Sequence, residues 1–323
     1  MNTNFVSNFA SQLVKFLEQK QALGYSYNGS VSDFRLFDRM CAERFPNETT
    51  LTADICNAWA ARRGNESIKT TTRRLPFIRE FARYLIRSGE AAYILPIGTI
   101  KRGQRYIPHI YSHAEIDAIR HAFDNISPTK VYPVAHIVMP ALIRLLYCCG
   151  LRPSEALNLK MEDVDLRSGK LFISESKGHK DRIVVLADDV REFCHSYNEM
   201  ISKHIPVRVF FFAKNSAEAC NYNWVNRMFR QAREILKIEG NSDTPPRLYD
   251  VRHTYATHRL YRWMRDGKDL YAMLPYLSSY MGHTKITETF YYIHLIPGMF
   301  EAISGFKYES VADIFPKVVE VGE

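Results

Sequence analysis

"GKLFISESKGHKDRIVVL", residues 169–186, is the stretch that reads as β-structure in a chain otherwise patterned for helices. Residues 171–174 and 182–186 are rich in β-branched and aromatic side chains, and they flank a polar turn that contains Gly178. Upstream, "SHAEIDAIRHAF" predicts a capped helix starting after Ser112, and the apolar "PVAHIVMPALIRLLYCCG" follows it. Helices resume from about Ala187. The expected class is therefore mainly α with a small antiparallel β-sheet.

The first hundred residues read as helices as well. Phe5, Phe9, Leu13, Phe16 and Leu17 recur at three- and four-residue steps, and Gly24 ends that run. A second helix follows Ser30, with Val31, Phe34, Phe37 and Met40 on one face. In "LTADICNAWAARRG", Thr52 is the N-cap and Gly64 the stop. A fourth helix runs through "SIKTTTRRLPFIREFARYLIRSG" with a bend expected at Pro76. There Phe77, Phe81 and Leu85 share one face, while Arg79, Arg83 and Arg87 form a basic stripe. Such a stripe is by itself an ordinary solvated face. Beside Arg62, Arg63, Arg73 and Arg74 it reads as a surface that tracks phosphates.

"EAAYILPIGTIKRGQRYIPHIY" breaks the pattern with Pro96, Gly98, Gly103 and Pro108. Its Lys101, Arg102 and Arg105 suit a segment lying along DNA. The expected organisation is a helical domain over 1–95, a linker over 96–108 with the boundary near 106, and a second domain over 109–323. Length agrees, since 323 residues suit two domains better than one.

Composition narrows the class further. A hydrophobic content of 46% is ample for real cores. No run of eighteen uncharged apolar residues suggests a membrane span, and the first twenty residues lack the pattern of a secretion signal, so a cytoplasmic protein is expected. Six cysteines show no CxxC and no metal-ligand spacing with histidine, so they read as buried free thiols and no metal is expected. The net charge of +8 is uneven. Residues 1–107 carry sixteen Lys and Arg against nine Asp and Glu, while the remainder is nearly balanced at twenty-seven against twenty-six. That points to a polyanion-gripping module at the N-terminal side.

Four short stretches carry chemistry. In "CCGLRPSEALNL" a helix ends at Gly150 and another begins at Pro153, which places Arg152 at the cap of a helix N-terminus, with Glu155 able to brace it or to cap the helix. In "SESKGHKDRIVVL" Lys177 sits in the tip region of the hairpin, either as an ordinary turn lysine or as a general acid. "RLYDVRHTYATH" puts Arg252 on the first turn of a helix, with Tyr249 three residues before it and His253 beside it. "MGHTKITETFYYIHL" carries His283 after Gly282, and Tyr292 nine residues further on. Two arginines, a lysine, a histidine and a tyrosine together describe phosphoryl transfer. The arginines neutralise a pentacoordinate phosphate, the tyrosine attacks phosphorus, and the lysine protonates the leaving 5′-oxygen.

In these motifs, and across nearly its whole length, the chain resembles the tyrosine recombinases of the phage-integrase family. GLRPSEAL stands where the family places its first arginine, here Arg152, and SKGHK its hairpin lysine, Lys177. YDVRH stands for the HxLRH motif and gives Arg252, MGH for LGH and gives His283, and YIH for YTH and gives Tyr292. The resemblance implies a helical core-binding domain, a catalytic domain, no cofactor, double-stranded DNA as substrate, and four protomers on two DNA sites. It implies Tyr292 as nucleophile, with Tyr291 packing beside it. The tail from Phe300 to Phe315 then docks on a neighbouring protomer or on its own domain.

One position departs from the family. Tyr249 stands where HxxR has a histidine that contacts the scissile phosphate and helps take the nucleophile's proton. A tyrosine hydroxyl donates the same hydrogen bond but is no base at neutral pH. The expectation is an active site-specific recombinase of the integrase or transposase type, working through a 3′-phosphotyrosyl link and a Holliday junction. The alternatives are a weakened, partner-dependent or accessory DNA-binding subunit, and a type IB topoisomerase.

Overall fold

The computed structural model describes residues 4–24, 31–100, 106–128, 130, 132–174, 181–240 and 244–293. The chain forms two compact units, Met1–Arg105 and Tyr106–Glu323.

The first unit holds four helices: α1 (Ala10–Ala22), α2 (Val31–Arg44), α3 (Ala53–Ala60) and α4 (Ile68–Arg87). Thr52 and Ser67 cap α3 and α4 by accepting hydrogen bonds from the backbone N–H groups of Ile55 and Thr70. Residues 64–66 lie outside the helices, and α3 ends at Ala60, four residues before the glycine expected to stop it. The core is aromatic: Phe9, Phe16, Phe34, Phe37, Trp59, Phe77 and Phe81 are buried against one another. Their ring pairs are tilted, edge-on or stacked, with the Phe34 and Phe77 centroids 4.2 Å apart. Each such side chain withdrawn from water contributes on the order of 2 kcal/mol. α4 continues through Pro76, which lies on its exposed side.

Arg74 is a correction to the basic surface expected of α4. It is 2% exposed and belongs to the core. Its Nε and Nη2 donate to the two carboxylate oxygens of Glu66 at 3.0 and 2.9 Å, and its guanidinium lies 4.7 Å from the centre of the Trp59 ring. A guanidinium so enclosed is a structural strut, shut away from any phosphate on the surface. Arg63 stacks on the same indole, at 4.5 Å.

The second unit runs α5 (His113–Asp124), α6 (Ala135–Cys149), α7 (Pro153–Leu157), β1 (Val164–Asp165), β2 (Lys170–Ile173), β3 (Arg182–Val185), α8 (Asp188–Ser202), α9 (Tyr222–Ile235), α10 (Asp250–Arg265), α11 (Leu270–Met281) and α12 (Thr287–Phe290). Ser112 and Glu115 close a capping box at the start of α5. α6, buried along most of its length, is the central element and packs on α5, α8 and α10. The sheet is antiparallel in the order β1-β2-β3, with Phe172 opposite Ile183. β1 adds a two-residue strand to the expected hairpin. Alternation buries Leu171, Ile173 and Val184 on one face and leaves Phe172, Ile183 and Val185 exposed on the other.

Leu95 and Ile100 pack with the aromatic core of the first unit, and Arg79 donates to the carbonyls of Leu95 and Pro96 at 2.8 and 2.7 Å. Tyr106 belongs to the second unit, where its hydroxyl donates to Asp250 and its ring lies under the Arg247 guanidinium. The stretch read as a linker over 96–108 thus has both of its described ends tied down. Among the described residues the cysteines are unbridged, and no helix is long and apolar enough to cross a membrane.

Candidate active site

α6 ends because Gly150 takes a left-handed conformation, φ +60°. A side chain there would also strike the Tyr255 ring of α10, since a Cβ would lie 2.2 Å from Tyr255 Cδ1. Glycine therefore lets α10 close on the end of α6, and the chain re-enters a helix at once with Arg152 at the N-cap and Pro153 at the first position. α11 ends in the same way at Gly282, φ +65°, where the backbone N–H groups of Gly282 and His283 return to the carbonyls of Ser279 and Ser278 at 3.0 Å each. These two left-handed glycines set Arg152 and His283 just beyond helix ends.

Arg252 stands in the first turn of α10 and is 1% exposed. Its Nη1 donates to the Gly150 carbonyl at 2.7 Å and its Nη2 to the Met281 carbonyl at 2.6 Å. Arg152 donates from Nη2 to the Gly282 carbonyl at 3.0 Å and from Nη1 to Glu155 Oε1 at 2.5 Å. Both arginines thus meet at the end of α11. Glu155 also takes the backbone N–H of Arg152 at 2.9 Å, so it braces the arginine and caps α7 together. Burial alone would raise the Glu155 carboxyl, but hydrogen bonds from Arg182 and Arg152 outweigh it and hold the group down at about 2.

Tyr292 follows α12 and is 3% exposed. Its ring stacks near His283, with centroids 5.8 Å apart, and lies 5.5 Å from the ring of His253. Burial pushes its phenol up to about 12, and the adjacent Arg252 guanidinium opposes that rise. His283 shares a 2.7 Å hydrogen bond between Nδ1 and Thr289 Oγ1, which ties the imidazole to α12. Burial, then Arg252 and Arg152, push its pKa down to about 3, and burial brings His253 to about 4. Both imidazoles are therefore neutral at physiological pH.

Tyr249 precedes α10, half-buried, with its ring 5.3 Å from that of His253. It lies close to Arg152, where burial disfavours the guanidinium charge and Glu155, then Tyr249, outweigh that and hold the group charged. The structure therefore brings together Arg152, Tyr249, Arg252, His283 and Tyr292, drawn from segments up to 140 residues apart (Arg152 to Tyr292). Lys177 lies outside the described residues, as do Lys101, Arg102, Arg105 and the tail from 294 onward. Tyr291 is half-buried beside Tyr292, their ring centroids 6.2 Å apart.

In the first unit Arg62, Arg73 and Arg87 are exposed, and Arg63, Arg79 and Arg83 are half-buried with protein partners. Arg182 is the residue that inspection of motifs passes over. Its side chain is buried and makes a two-pronged contact with Glu155, from Nη1 at 3.1 Å and Nη2 at 2.8 Å. One signal was available: in "DRIVVL" strand alternation puts Arg182 on the same face as buried Val184.

Known proteins resemble this chain over most of its length. The y4rB protein of Sinorhizobium fredii, whose name places it with integrase/recombinases, is 28% identical over 300 residues, covering 89% of this chain and 93% of its own. The tyrosine recombinase XerC of Alcanivorax borkumensis is 28% identical over 253 residues, 76% of each chain. In fold, the chain resembles the XerH site-specific recombinase bound to palindromic difH substrate, with a TM-score of 0.64 at 16% identity, covering 95% of this chain and 91% of that one. It also resembles a lambda integrase dimer bound to a core site, with a TM-score of 0.63 at 15% identity, covering 87% and 94%. Residues 111–298, more than half of the chain and the whole of the site just described, match the phage integrase family, and the protein belongs to that family.

Proposed function

We propose that the protein is a site-specific DNA recombinase that breaks and rejoins strands through Tyr292. The observation that carries this is the convergence of Arg152 and Arg252 on the end of α11, beside the His283–Tyr292 pair. A phosphodiester bound there meets two guanidiniums whose charges offset the second negative charge that develops as the phenol oxygen adds to phosphorus. The P–O5′ bond then breaks, leaving a 3′-phosphotyrosyl link and a 5′-hydroxyl. The phenol gives up its proton as it attacks, and the neutral imidazoles of His253 and His283 flank it as acceptors. Lys177 is assigned the proton that the leaving 5′-oxygen takes up. Attack by a 5′-hydroxyl from a second strand reverses each step, so bond energy is conserved and no nucleotide cofactor is needed.

Tyr249 takes the role of a phosphate hydrogen-bond donor beside Arg152. This reading makes the enzyme active in its own right, against the accessory alternative. The exposed Arg62, Arg73 and Arg87 serve as backbone contacts of a core-binding unit. Strand exchange between two sites calls for four protomers.

The test is covalent trapping. Wild type, Tyr292→Phe and Tyr291→Phe are incubated with a pool of random-sequence duplexes carrying nicks, and adducts are separated on denaturing gels. The expected result is an adduct with wild type and Tyr291→Phe and none with Tyr292→Phe. DNA retention on a native gel without any adduct from wild type would establish the accessory reading instead.

A further inference from the structure

The last carbonyls of a helix lack partners within it and carry the negative end of its dipole. At the end of α11 three successive carbonyls each receive an N–H from a different arginine. Arg182 Nε donates to Tyr280 at 2.8 Å, Arg252 Nη2 to Met281 at 2.6 Å, and Arg152 Nη2 to Gly282 at 3.0 Å. The three come from β3, α10 and the cap of α7. Glu155 joins them from the other side, in contact with Arg152 and Arg182 and 3.9 Å from Arg252. Three positive groups and one negative leave two positive charges, matching the two negative charges of a pentacoordinate phosphodiester.

Arg182 differs from the other two in how it is used. Each of its three guanidine nitrogens faces a protein acceptor: Nε the Tyr280 carbonyl, Nη1 and Nη2 the two oxygens of Glu155. Its guanidinium also lies against the turn that presents His283, since a Cβ on Gly282 would come within 2.8 Å of Nη1. A buried arginine–carboxylate pair contributes little stability compared with apolar side chains of the same volume. What it does supply is a fixed position for each charge.

We propose that Arg182 is a positioning residue for strand cleavage, which acts through Glu155 and the Tyr280 carbonyl to set the spacing of Arg152, Arg252 and His283 around the phosphate. The inference rests on the phosphoryl-transfer reading above. Arg182 touches neither DNA nor nucleophile in this scheme. Lysine cannot replace it, because one ammonium cannot bridge both carboxylate oxygens and a carbonyl in a plane.

The experiment compares wild type with Arg182→Lys and Arg182→Met. The probe is a duplex recovered from the random pool by its covalent attachment to wild type, with the scissile position mapped. It is remade with that position as an ordinary phosphodiester or as a methylphosphonate, which lacks one of the charged oxygens. Adduct formation in a single turnover, DNA affinity and melting temperature are measured. The expected result on phosphodiester is adduct formation slowed by about 30-fold or more, the scale of a lost electrostatic contact at a transition state. DNA affinity should stay within about threefold of wild type, because the phosphate backbone contacts are untouched. On methylphosphonate the gap should shrink to about threefold, since the charge that the arginines must meet is reduced. A Glu155→Gln, Arg182→Met double variant should be no slower than Glu155→Gln alone.

Equal losses on both probes, with a matching fall in melting temperature, would reduce Arg182 to a packing residue and overturn the inference. Wild-type rates in both variants would do the same. If wild type itself captured no duplex from the pool, the recombinase reading would fall, and the positioning role with it.

Discussion

At the scale of single residues, the question that the sequence poses is Tyr249. The family pattern has a histidine there, able both to contact phosphate and to accept a proton. Under the proposed chemistry the two tasks are separable. Tyr249 lies near Arg152, while His253, neutral and one helical turn on, has its ring 5.3 Å from that of Tyr249 and 5.5 Å from that of Tyr292. Removing the Tyr249 hydroxyl deletes a hydrogen bond to a charged group, worth about 1.5–3 kcal/mol. Tyr249→Phe should therefore slow adduct formation roughly 10- to 150-fold, and Tyr249→His should restore it, both read by single-turnover trapping. An unaltered rate in Tyr249→Phe would remove the residue from the site. This departure was visible in the sequence as a missing histidine. That His253 stands against Tyr292 was not, because adjacency to Arg252 says nothing of which way a ring turns.

At the scale of elements, α4 shows how charge misleads. By type, Arg73, Arg74, Arg79, Arg83 and Arg87 form one basic helix. By period, Arg74 falls on the face of Ile78, Phe81 and Leu85, and the fold follows the period: Arg74 is enclosed and paired with Glu66. Arg74→Ala leaves Glu66 without its main partner and should cost about 3–5 kcal/mol, measured by urea denaturation of the first unit. Arg87→Ala should leave the midpoint unchanged and weaken DNA binding, with the slope of log K against log salt falling by about 0.9. If the two variants behaved alike in either assay, the division of this helix into a strut face and a contact face would fail. The helix ends were more readable. Gly150 and Gly282 announce left-handed caps, and Arg152 and His283 follow them within two residues.

At the scale of the molecule, burial of three histidines ties stability to pH. His253 and His258 are pushed down to about 4 and His283 to about 3, in each case first by burial. The unfolded chain takes up protons near the ordinary value of about 6.5, while the folded chain does not. The unfolded state thus binds more protons below that value, and stability falls as pH drops from about 6.5 through 4, with His283 carrying the fall on to about 3. Glu155 adds a lower window of the other kind. Its carboxyl is held at about 2, so the stability it contributes is full above the ordinary carboxylate range of about 4.3 and is lost as pH falls through 2. Melting temperatures across pH 8 to 4 should decline with the first window, and His253→Asn should shallow the decline. A flat profile would mean that these imidazoles titrate normally.

Taken alone, the sequence determined the class, the paired strands, the presence of two units and the family to which the chain belongs. Those depend on local period, on turn residues and on side-chain chemistry, all of which act over a few positions. The tertiary structure decided which arginines are exposed and which are struts, and which histidines stay neutral. It also decided that Arg152, Arg182 and Arg252 share one helix end. Those outcomes rest on burial and on pairs far apart in the chain, such as Arg252 with Gly150 across 102 residues and Arg152 with Gly282 across 130. A hydrogen bond of that span exists only once both segments have packed, and no short motif can encode it.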